Sequence, residues 1–385
     1  MLNTSEELKL SEKSKKIGFL VNPVAGMGGK VGLKGTDGAG IVEKAKKRGA
    51  EPVAPERAIK ALKKLEGSDA STFIYTCSDE MGQSEVEETG LDYEVVCDVK
   101  SGETTPEDTK RALESFLEKG IDIVLFAGGD GTATDILEVL DQEAPMLGIP
   151  TGVKMHSAVF ANTPEIGGRL VARYLRGDDL PLREAEVVDV DEDAFRQNEL
   201  DTDLKGYGKS PYDPRWVQAA KSPTVTSGSE VEDQGEIAEW IVERMDKDRL
   251  YILGPGTTTR AVAEQLDIPQ STLLGVDLIK DGELVASDVT EGEILEMLEE
   301  NTEAEIIVSP IGQQGFVFGR GNQQISPKVI REVGTDNIRI IATPNKLAQT
   351  PQLKVDTGDP DLNEELRGYG RVILGYDIKR PIPVA

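Results

Sequence analysis

The stretch Ile121-Asp122-Ile123-Val124-Leu125-Phe126-Ala127-Gly128-Gly129-Asp130-Gly131-Thr132 decides the fold of this 385-residue chain. Its first half is apolar and β-branched, which is the pattern of a strand buried on both faces of a sheet. Three glycines then enclose one aspartate, and residues 133–140 carry apolar side chains at helical spacing. The stretch therefore predicts a buried strand, a tight glycine loop and a helix.

Such a loop has the properties of a phosphate-binding site. It places a helix N-terminus and backbone N–H groups at the carboxyl end of a buried strand, and its glycines let a ligand approach the backbone closely. Repulsion makes Asp130 a poor direct ligand of phosphate. We interpret it as a proton acceptor for a hydroxyl nucleophile or as a magnesium ligand. The structural alternative is a glycine turn capped by an ordinary Asp and Thr.

Composition and charge exclude several classes of protein. The 70 acidic residues outnumber the 43 basic ones, which gives a net charge of −27. Nucleic acids and anionic membranes are bound by clustered Lys and Arg, so neither is expected as a partner. Two cysteines are too few for a disulfide framework, and the single histidine excludes a histidine-built metal cluster. We expect a cytoplasmic protein without a membrane span and without a metal site of its own.

Strand and helix patterns alternate along the chain. In the first half, strands are predicted at residues 17–21, 73–77, 93–97 and 147–149, with helices at 58–65 and 106–119. In the second half, strands are predicted at residues 186–190, 250–253, 273–279, 283–286, 306–308, 337–342 and 371–376, helices at 237–245 and 294–300, and a loop at 207–229. We therefore predict an α/β protein. Residues 1–165 form a doubly wound parallel-sheet domain, and residues 166–385 form a mixed α/β domain with β-rich segments.

Two further glycine loops follow predicted strands. Asn22-Pro23-Val24-Ala25-Gly26 comes after the first strand, and the register around Lys30 does not fit a Walker A loop. Gly254-Pro255-Gly256-Thr257-Thr258-Thr259 comes after residues 250–253 and begins a helix. Threonines at a helix start can cap the helix, and they can also bind phosphate. Both interpretations stay open for this loop.

Two other segments carry candidate ligand contacts. In residues 150–158, Lys154 can neutralise a transferring phosphate, although a lone lysine is usually solvated. His156 is a candidate ligand contact, with a purely structural role as the alternative. In residues 309–324, the side-chain amides of Gln313 and Asn322 can hydrogen-bond to a nucleobase edge or a ribose. Arg320 can form a bidentate hydrogen bond with phosphate.

These loops resemble those of one enzyme superfamily. Residues 128–132 resemble the GGDGT signature of the NAD kinase, diacylglycerol kinase and sphingosine kinase superfamily. The loop at residues 22–26 resembles its Asn-Pro-x-x-Gly loop, and residues 150–153 resemble the Pro-x-Gly-Thr loop of lipid kinases with Val153 in place of Thr. Residues 256–258 resemble the Gly-Ser-Thr loop of NAD kinases. With the run at 309–324, the chain resembles the archaeal and acetoin-operon branch of ATP-NAD kinase-like proteins.

The resemblance implies phosphoryl transfer from ATP or polyphosphate, with Mg²⁺, to a hydroxyl of NAD, which gives NADP. It implies that Asp130 activates that hydroxyl. It also implies a homo-oligomer. The residues expected at nucleotide or phosphate are Asn22, Pro23, Gly26, Gly128, Gly129, Gly131, Thr132, Gly152, Lys154, Gly256, Thr257 and Thr258, and those expected at the substrate are His156, Gln313, Arg320 and Asn322.

Three alternatives to NAD phosphorylation stay open. The acceptor could be another small hydroxyl compound or a lipid head group, although the acidic chain offers no basic docking surface. The protein could also sense NAD or ATP without turnover. NAD kinases generally carry an all-β second domain, and the alternation after residue 250 departs from that pattern. The departure leaves the identity of the acceptor open.

Overall fold

The computed structural model describes residues 14–29, 31, 41–68, 70–100, 102, 104–151, 155–178, 180–190, 202–213, 228–268, 275–301, 303–311 and 315–385. Three of the candidate residues, Gly152, Lys154 and Gln313, lie outside these ranges. The described part of the chain divides into two compact units. The first takes its described residues from 1–27, 51–191 and 201–220, and the second from 28–50 and 221–385.

The helices and strands follow one another in α/β alternation. The helices are α1 Ile41–Lys47, α2 Ala54–Glu66, α3 Gln83–Glu87, α4 Pro106–Glu118, α5 Asp130–Leu140, α6 Pro164–Arg176, α7 Gly228–Val242, α8 Thr257–Gln265, α9 Glu291–Glu300, α10 Pro327–Val333, α11 Pro344–Gln349 and α12 Pro360–Glu365. The strands are β1 Lys15–Val21, β2 Thr72–Cys77, β3 Tyr93–Cys97, β4 Ile123–Gly128, β5 Met146–Pro150, β6 Leu182–Val190, β7 Thr202–Pro211, β8 Leu250–Leu253, β9 Asp277–Lys280, β10 Glu283–Ala286, β11 Ala304–Val308, β12 Phe316–Phe318, β13 Ile338–Ile341, β14 Lys354–Val355, β15 Gly368–Gly375 and β16 Ile378–Val384.

The first unit is built on a parallel sheet of five strands in the order β3-β2-β1-β4-β5. Strand β1 lies between β2 and β4, with Ile17 opposite Ile74 on one side and Ile123 on the other. The strand order reverses between β1 and β4, so this sheet is doubly wound. In such sheets a ligand lies outside the carboxyl ends of the strands at the point of reversal.

Both faces of this sheet are buried, which explains the continuous apolar runs of its strands. On one face, Ile123 and Leu125 of β4 belong to a core that includes helices α2 and α6. On the other face, Val124 and Phe126 pack with residues of α4 and α5. The alternation of β4 between two cores confirms the buried strand predicted from residues 121–126.

The hairpin of β6 and β7 also belongs to the first unit. Its strands pair antiparallel, from Leu182 opposite Pro211 to Val190 opposite Thr202. The predicted loop at residues 207–229 is therefore wrong over residues 207–211, and also over 228–229, where α7 begins. Gly206 and Gly208 obscure the strand pattern in the sequence, because glycine is depleted in strands and has no side chain that could show an alternation of apolar and polar residues.

The second unit is built on a mixed sheet of seven strands in the order β10-β9-β8-β11-β13-β15-β16. Strands β8, β11, β13 and β15 run parallel. Strand β9 runs antiparallel to β8, and β16 runs antiparallel to β15. The turn that joins β9 and β10 is the hairpin at Asp281-Gly282, as predicted.

The second sheet also has a core on each face. Ile252 and Ile306 belong to one core, together with residues of α9 and α10. Tyr251 and Ile307 belong to the other, together with residues of α7 and α8. The predicted α/β fold class is therefore confirmed in both units. Strand β16 escaped prediction because its outer half is charged and contains Pro381 and Pro383, which a sheet tolerates at an edge strand.

None of the helices in the described ranges has both the length and the apolar composition needed to cross a membrane.

Candidate active site

Three loops of the first unit meet at the carboxyl edge of its sheet, beyond strands β1, β4 and β5. The loop after β1 is tied to the end of β4 by the backbone N–H of Asn22, which donates to the carbonyl of Ala127 over 2.8 Å. The Oδ1 atom of Asn22 accepts the backbone N–H of Val24 over 3.2 Å, which closes a local turn. Asn22 thereby shapes the first loop with both its backbone and its side chain.

The side chain of Asn22 also crosses the point where the strand order reverses. Its Nδ2 atom donates to Oγ1 of Thr132 over 3.0 Å. Thr132 lies in the first turn of α5, which begins at Asp130 after the N-cap residue Gly129. The loops after β1 and β4 are therefore joined side chain to side chain, at the position where doubly wound sheets bind their ligands.

Gly128 is required by the close approach of Thr132. A Cβ atom at Gly128 would lie 2.6 Å from the Cβ of Thr132, which is closer than side chains tolerate. With glycine, the chain turns directly from β4 into α5. The backbone N–H groups of the first helical turn then lie at the sheet edge, where they can bind an anion.

The carboxylate of Asp130 is oriented by the segment that follows β5. Its Oδ2 atom accepts the backbone N–H of His156 over 2.7 Å, and its Oδ1 atom accepts that of Ser157 over 2.9 Å. Asp130 is only 8% exposed. A carboxylate offers about four lone-pair sites. These two bonds therefore fix its position and remain compatible with a further hydroxyl or a metal-bound water.

The segment that holds Asp130 is itself anchored in the fold. Oγ of Ser157 donates to the carbonyl of Val188 and accepts its N–H, at 3.2 and 3.1 Å. A Cβ atom at Gly148 would lie 2.2 Å from the ring of Phe160. The β5 backbone and this segment are therefore in close contact. The orientation of Asp130 is thus set by strands β5 and β6.

The loop after β1 also contacts the end of β5. Gly26 has a φ of +81°, and a Cβ atom there would lie 2.0 Å from the carbonyl oxygen of Thr151. Thr151 is buried, and its Oγ1 atom makes no hydrogen bond to any described part of the chain. A buried hydroxyl without a partner is costly, and its place at this edge suits a contact to a ligand.

The first unit therefore brings together most of the candidate residues of its sequence. Asn22, Gly26, Thr132, Asp130 and His156 are joined by the contacts above. Pro23 lies in the loop after β1, Gly128 ends β4, Gly129 is the N-cap of α5, and Gly131 lies in the first turn of α5. His156 is buried and contributes its backbone N–H to Asp130. Thr151 was not singled out from the sequence, although its place between a predicted strand and Gly152 was a signal for it.

The third glycine loop begins helix α8 in the second unit. Gly256 is the N-cap, with a φ of +135° that favours glycine. Oγ1 of Thr257 accepts Nε2 of Gln234 over 3.3 Å, and Oγ1 of Thr259 donates to the carbonyl of Gly256 over 2.9 Å. Thr258 is fully buried. Two of the three threonines are thus engaged in local contacts at the start of the helix.

Two other candidates of the second unit make structural contacts. Arg320 is 3% exposed, its guanidinium stacks on Phe316, and its Nε lies 3.5 Å from Oδ2 of the buried Asp356. Nδ2 of Asn322 donates to the carbonyl of Val317, and its Oδ1 accepts the N–H of Gly319.

The structure also reveals a pair of polar residues that sequence reasoning missed. Nζ of Lys346, near the start of α11, donates to Oγ of Ser309, which directly follows β11. Both side chains are buried. The signal in the sequence was the Thr343-Pro344 pair after a predicted strand, which marks a helix start at the same sheet edge as Gly256.

Within the described ranges, no three His, Cys, Asp or Glu side chains cluster in a way that could hold a metal ion.

Residues 17–178 match the family model of the ATP-NAD kinase N-terminal domain, and residues 266–384 match that of the ATP-NAD kinase C-terminal domain. No curated protein and no solved structure matches the chain. The first match contains all three loops at the carboxyl edge of the first sheet. The two matches follow one another in the order of the two domains and together cover most of the sequence. The chain therefore belongs to the NAD kinase-like family.

Proposed function

We propose that this protein transfers the terminal phosphoryl group of ATP, or of polyphosphate, to a hydroxyl of NAD and so forms NADP. The observation that carries the proposal is the junction of three loops at one sheet edge. Asn22 joins the first loop to Thr132, and Asp130 joins the second loop to residues 156 and 157. The two family matches favour NAD as the acceptor and ATP as the donor.

Asp130 has the chemistry of a general base for this reaction. It accepts the proton of the acceptor hydroxyl as that oxygen bonds to the terminal phosphorus of the donor. The bond from phosphorus to the bridging oxygen breaks, and ADP or shortened polyphosphate leaves. Phosphoryl transfer depends mainly on positioning. The backbone N–H groups that hold Asp130 supply this positioning, because they fix both carboxylate oxygens.

The glycine loops would hold the phosphates of the donor. The first turn of α5 presents backbone N–H groups next to Thr132 and Asn22. The hydroxyl of Thr151, which has no hydrogen-bond partner in the described part of the chain, adds a further donor. Lys154 is proposed to offset charge on the transferring group. In the second unit, Gly256, Thr257 and Thr258 are proposed to contact phosphate. His156 of the first unit and Gln313, Arg320 and Asn322 of the sequence after it are proposed to contact the substrate.

Mg²⁺ is proposed to enter with the nucleotide. The ion usually keeps several waters and binds through one or two carboxylates together with substrate phosphates. Asp130 is a carboxylate at this edge and suits such an ion, which would arrive on its substrate. The ion would neutralise charge on the donor phosphates. A cytoplasmic location and a homo-oligomer are part of the same proposal, as is membership of the archaeal and acetoin-operon branch.

The test is product formation by the purified full chain. The protein is incubated with Mg²⁺ and NAD, with ATP or polyphosphate as donor, at low and high salt. An NADP-specific dehydrogenase then detects the product. We expect NADP with at least one donor, and none after Asp130→Asn. If no NADP forms with either donor at any salt concentration, NAD is not the acceptor, and other hydroxyl compounds are then tested with the same donors.

A further inference from the structure

The second unit carries a buried lysine at the carboxyl edge of its own parallel strands. Thr343 follows β13 and caps α11, and its Oγ1 accepts the backbone N–H of Lys346 over 3.2 Å. Lys346 is 9% exposed, and its Nζ donates to Oγ of Ser309 over 3.0 Å. Ser309 is 1% exposed. A long cationic side chain thus turns inward and ends on a buried hydroxyl.

Among the described residues, the ammonium group of Lys346 has one side-chain hydrogen bond. A protonated lysine has three N–H donors, and the hydroxyl of Ser309 takes one of them. Burial lowers the pKa of Lys346 to about 8, and the negative charge of Glu230 on α7 opposes that shift. An isolated buried ammonium is unfavourable without a counter-charge and further acceptors. Because Glu230 supplies charge but no hydrogen bond to the ammonium, the site gains from a ligand that brings further acceptors and more negative charge.

Glu230 does not supply that hydrogen bonding itself. Its Oε1 accepts the hydroxyl of Thr343 over 2.6 Å, and its Oε2 accepts Nδ2 of Asn345 over 3.1 Å. Glu230 is almost fully buried. Its two oxygens are thus held by neighbours on the segment that starts α11, and it acts on Lys346 through its charge alone.

The N-terminus of helix α8 meets the same place. A Cβ atom built on Gly256 would lie 3.8 Å from the Cβ of Ser309, so the N-cap of α8 is in contact with the residue that Lys346 bonds. Thr258, in the first turn of this nine-residue helix, is fully buried, and its Oγ1 makes no hydrogen bond to the described chain. Helix N-termini favour anions through their N–H groups and their dipole.

We propose that Lys346, Ser309, Thr258 and the N-terminus of α8 form a binding site for a tetrahedral oxyanion, the phosphoryl group of a small ligand. The ammonium supplies the charge, and the hydroxyls and the helix supply directed donors. A neutral ligand would add no negative charge to that of Glu230. The site rests on the proposed function for Gly256 and Thr258, which are already proposed to contact phosphate, and deepens it by adding Lys346 and Ser309, which no family resemblance assigns.

Equilibrium dialysis of the full chain against labelled inorganic phosphate, at pH 7 and constant ionic strength, tests the site. Lys346→Met is compared with wild type and with Lys280→Met. Lys280 is a matched control because β9 runs antiparallel to β8, with Ile279 opposite Tyr251, which puts Lys280 at the opposite edge of the sheet. We expect Lys346→Met to lose one phosphate per chain, or to bind it at least about tenfold more weakly. Lys280→Met should bind phosphate as wild type does.

A second arm keeps the test decisive if Lys346→Met fails to fold. Ser309→Ala retains the lysine and should weaken phosphate binding several-fold. Sulfate, whose charge is constant from pH 6 to 10, should displace phosphate from the wild type. Its apparent dissociation constant should rise about tenfold per pH unit above about pH 8, because Lys346 then loses its proton.

Three outcomes would overturn the proposal. The first is equal phosphate binding by wild type, Lys346→Met and Ser309→Ala. The second is a sulfate affinity that does not change between pH 7 and 10. The third is displacement of phosphate by acetate that is as effective as displacement by sulfate. Because these measurements need neither NAD nor turnover, they are independent of the kinase assay.

Discussion

Nδ2 of Asn22, beyond the end of β1, donates to Oγ1 of Thr132 in the first turn of α5 over 3.0 Å, and so connects the two loops where the strand order of the first sheet reverses. The bond is partly buried and links residues far apart in the sequence. It holds the loop after β1 against the loop that carries Asp130. The geometry of the proposed phosphate site therefore depends on a contact between two loops.

Because the two side chains act as one unit, removing either should have nearly the same effect as removing both. We expect Asn22→Ala and Thr132→Val each to lower the unfolding free energy of the first unit by about 1 kcal/mol. A double-mutant cycle should give a coupling energy of about 0.5–1.5 kcal/mol, measured by urea denaturation. Strictly additive effects would show that the bond contributes nothing to the junction.

Substitution of Gly26 tests the contact between the loop after β1 and the end of β5. Gly26→Ala combines a positive φ with a Cβ atom 2.0 Å from the carbonyl oxygen of Thr151, so the loop must move. Gly177→Ala is the matched control, because Gly177 has a φ of +78° but nothing within 4 Å of its Cβ position. We expect the control to cost about 1 kcal/mol of stability and to keep its activity.

Gly26→Ala should cost at least about 2 kcal/mol and should abolish most phosphoryl transfer. Thermal denaturation and the NADP assay measure the two effects. Equal losses in both variants would mean that the close approach to Thr151 has no role in the site.

Glu85 on α3 should give the protein a pH-dependent stability. Burial raises the pKa of its carboxyl to about 7, and its Oε2 has no hydrogen-bond partner among the described residues. Between the ordinary pKa of about 4.5 and pH 7, the folded protein binds more protons than the unfolded chain. The stabilisation from this group is therefore present below pH 4.5 and is lost as pH rises through 7.

Glu85→Gln removes this titration. We expect the variant to be more stable than wild type by about 1–3 kcal/mol at pH 8, and nearly equal to it at pH 4.5. Denaturant melts at the two pH values measure the difference. A variant that loses stability at pH 8 would contradict this account of Glu85.

The two cysteines lie side by side on β2 and β3 and should differ in reactivity. Cys77 is buried and Cys97 is partly exposed. A hydrogen bond from Cys77 lowers the pKa of Cys97. We expect alkylation at pH 7 to modify Cys97 before Cys77. In Cys77→Ala, which lacks that hydrogen-bond donor, the alkylation of Cys97 should be several-fold slower. Peptide mass spectrometry after timed iodoacetamide treatment measures the rates, and unchanged labelling of Cys97 would exclude the effect.

The sequence predicted the first unit better than the second for a physical reason. The run from Ile121 to Phe126 and the glycines after it encode a strand, a turn and a helix start locally, so the loop of Asp130 could be placed without tertiary information. The hydrogen bonds from residues 156 and 157 to Asp130 could not be predicted from the sequence, because they depend on a segment that is anchored by β6.

In the second unit, local patterns conveyed less about each side chain. The sequence singled out Arg320 but did not show that it pairs with the buried Asp356. The local sequence around Lys346 does not show that its side chain turns inward to Ser309. Whether a charged side chain faces water or a buried partner depends on how strands distant in sequence are placed together, which no local pattern encodes.

The central claim is that Asp130 acts in the chemical step and not merely in the fold. Asp122 is the matched control, because it lies just before the amino end of the same strand β4 and also accepts a backbone N–H, from Lys16 over 2.8 Å. The decisive measurement compares Asp130→Asn and Asp122→Asn by single-turnover formation of NADP at saturating ATP and NAD, with calorimetric titration of both ligands.

We expect Asp130→Asn to keep the affinity for NAD within a few-fold and to lose at least about a hundredfold in rate, whereas Asp122→Asn keeps both. NADP formation by Asp130→Asn at the rate of Asp122→Asn would contradict the assignment of Asp130 as the base.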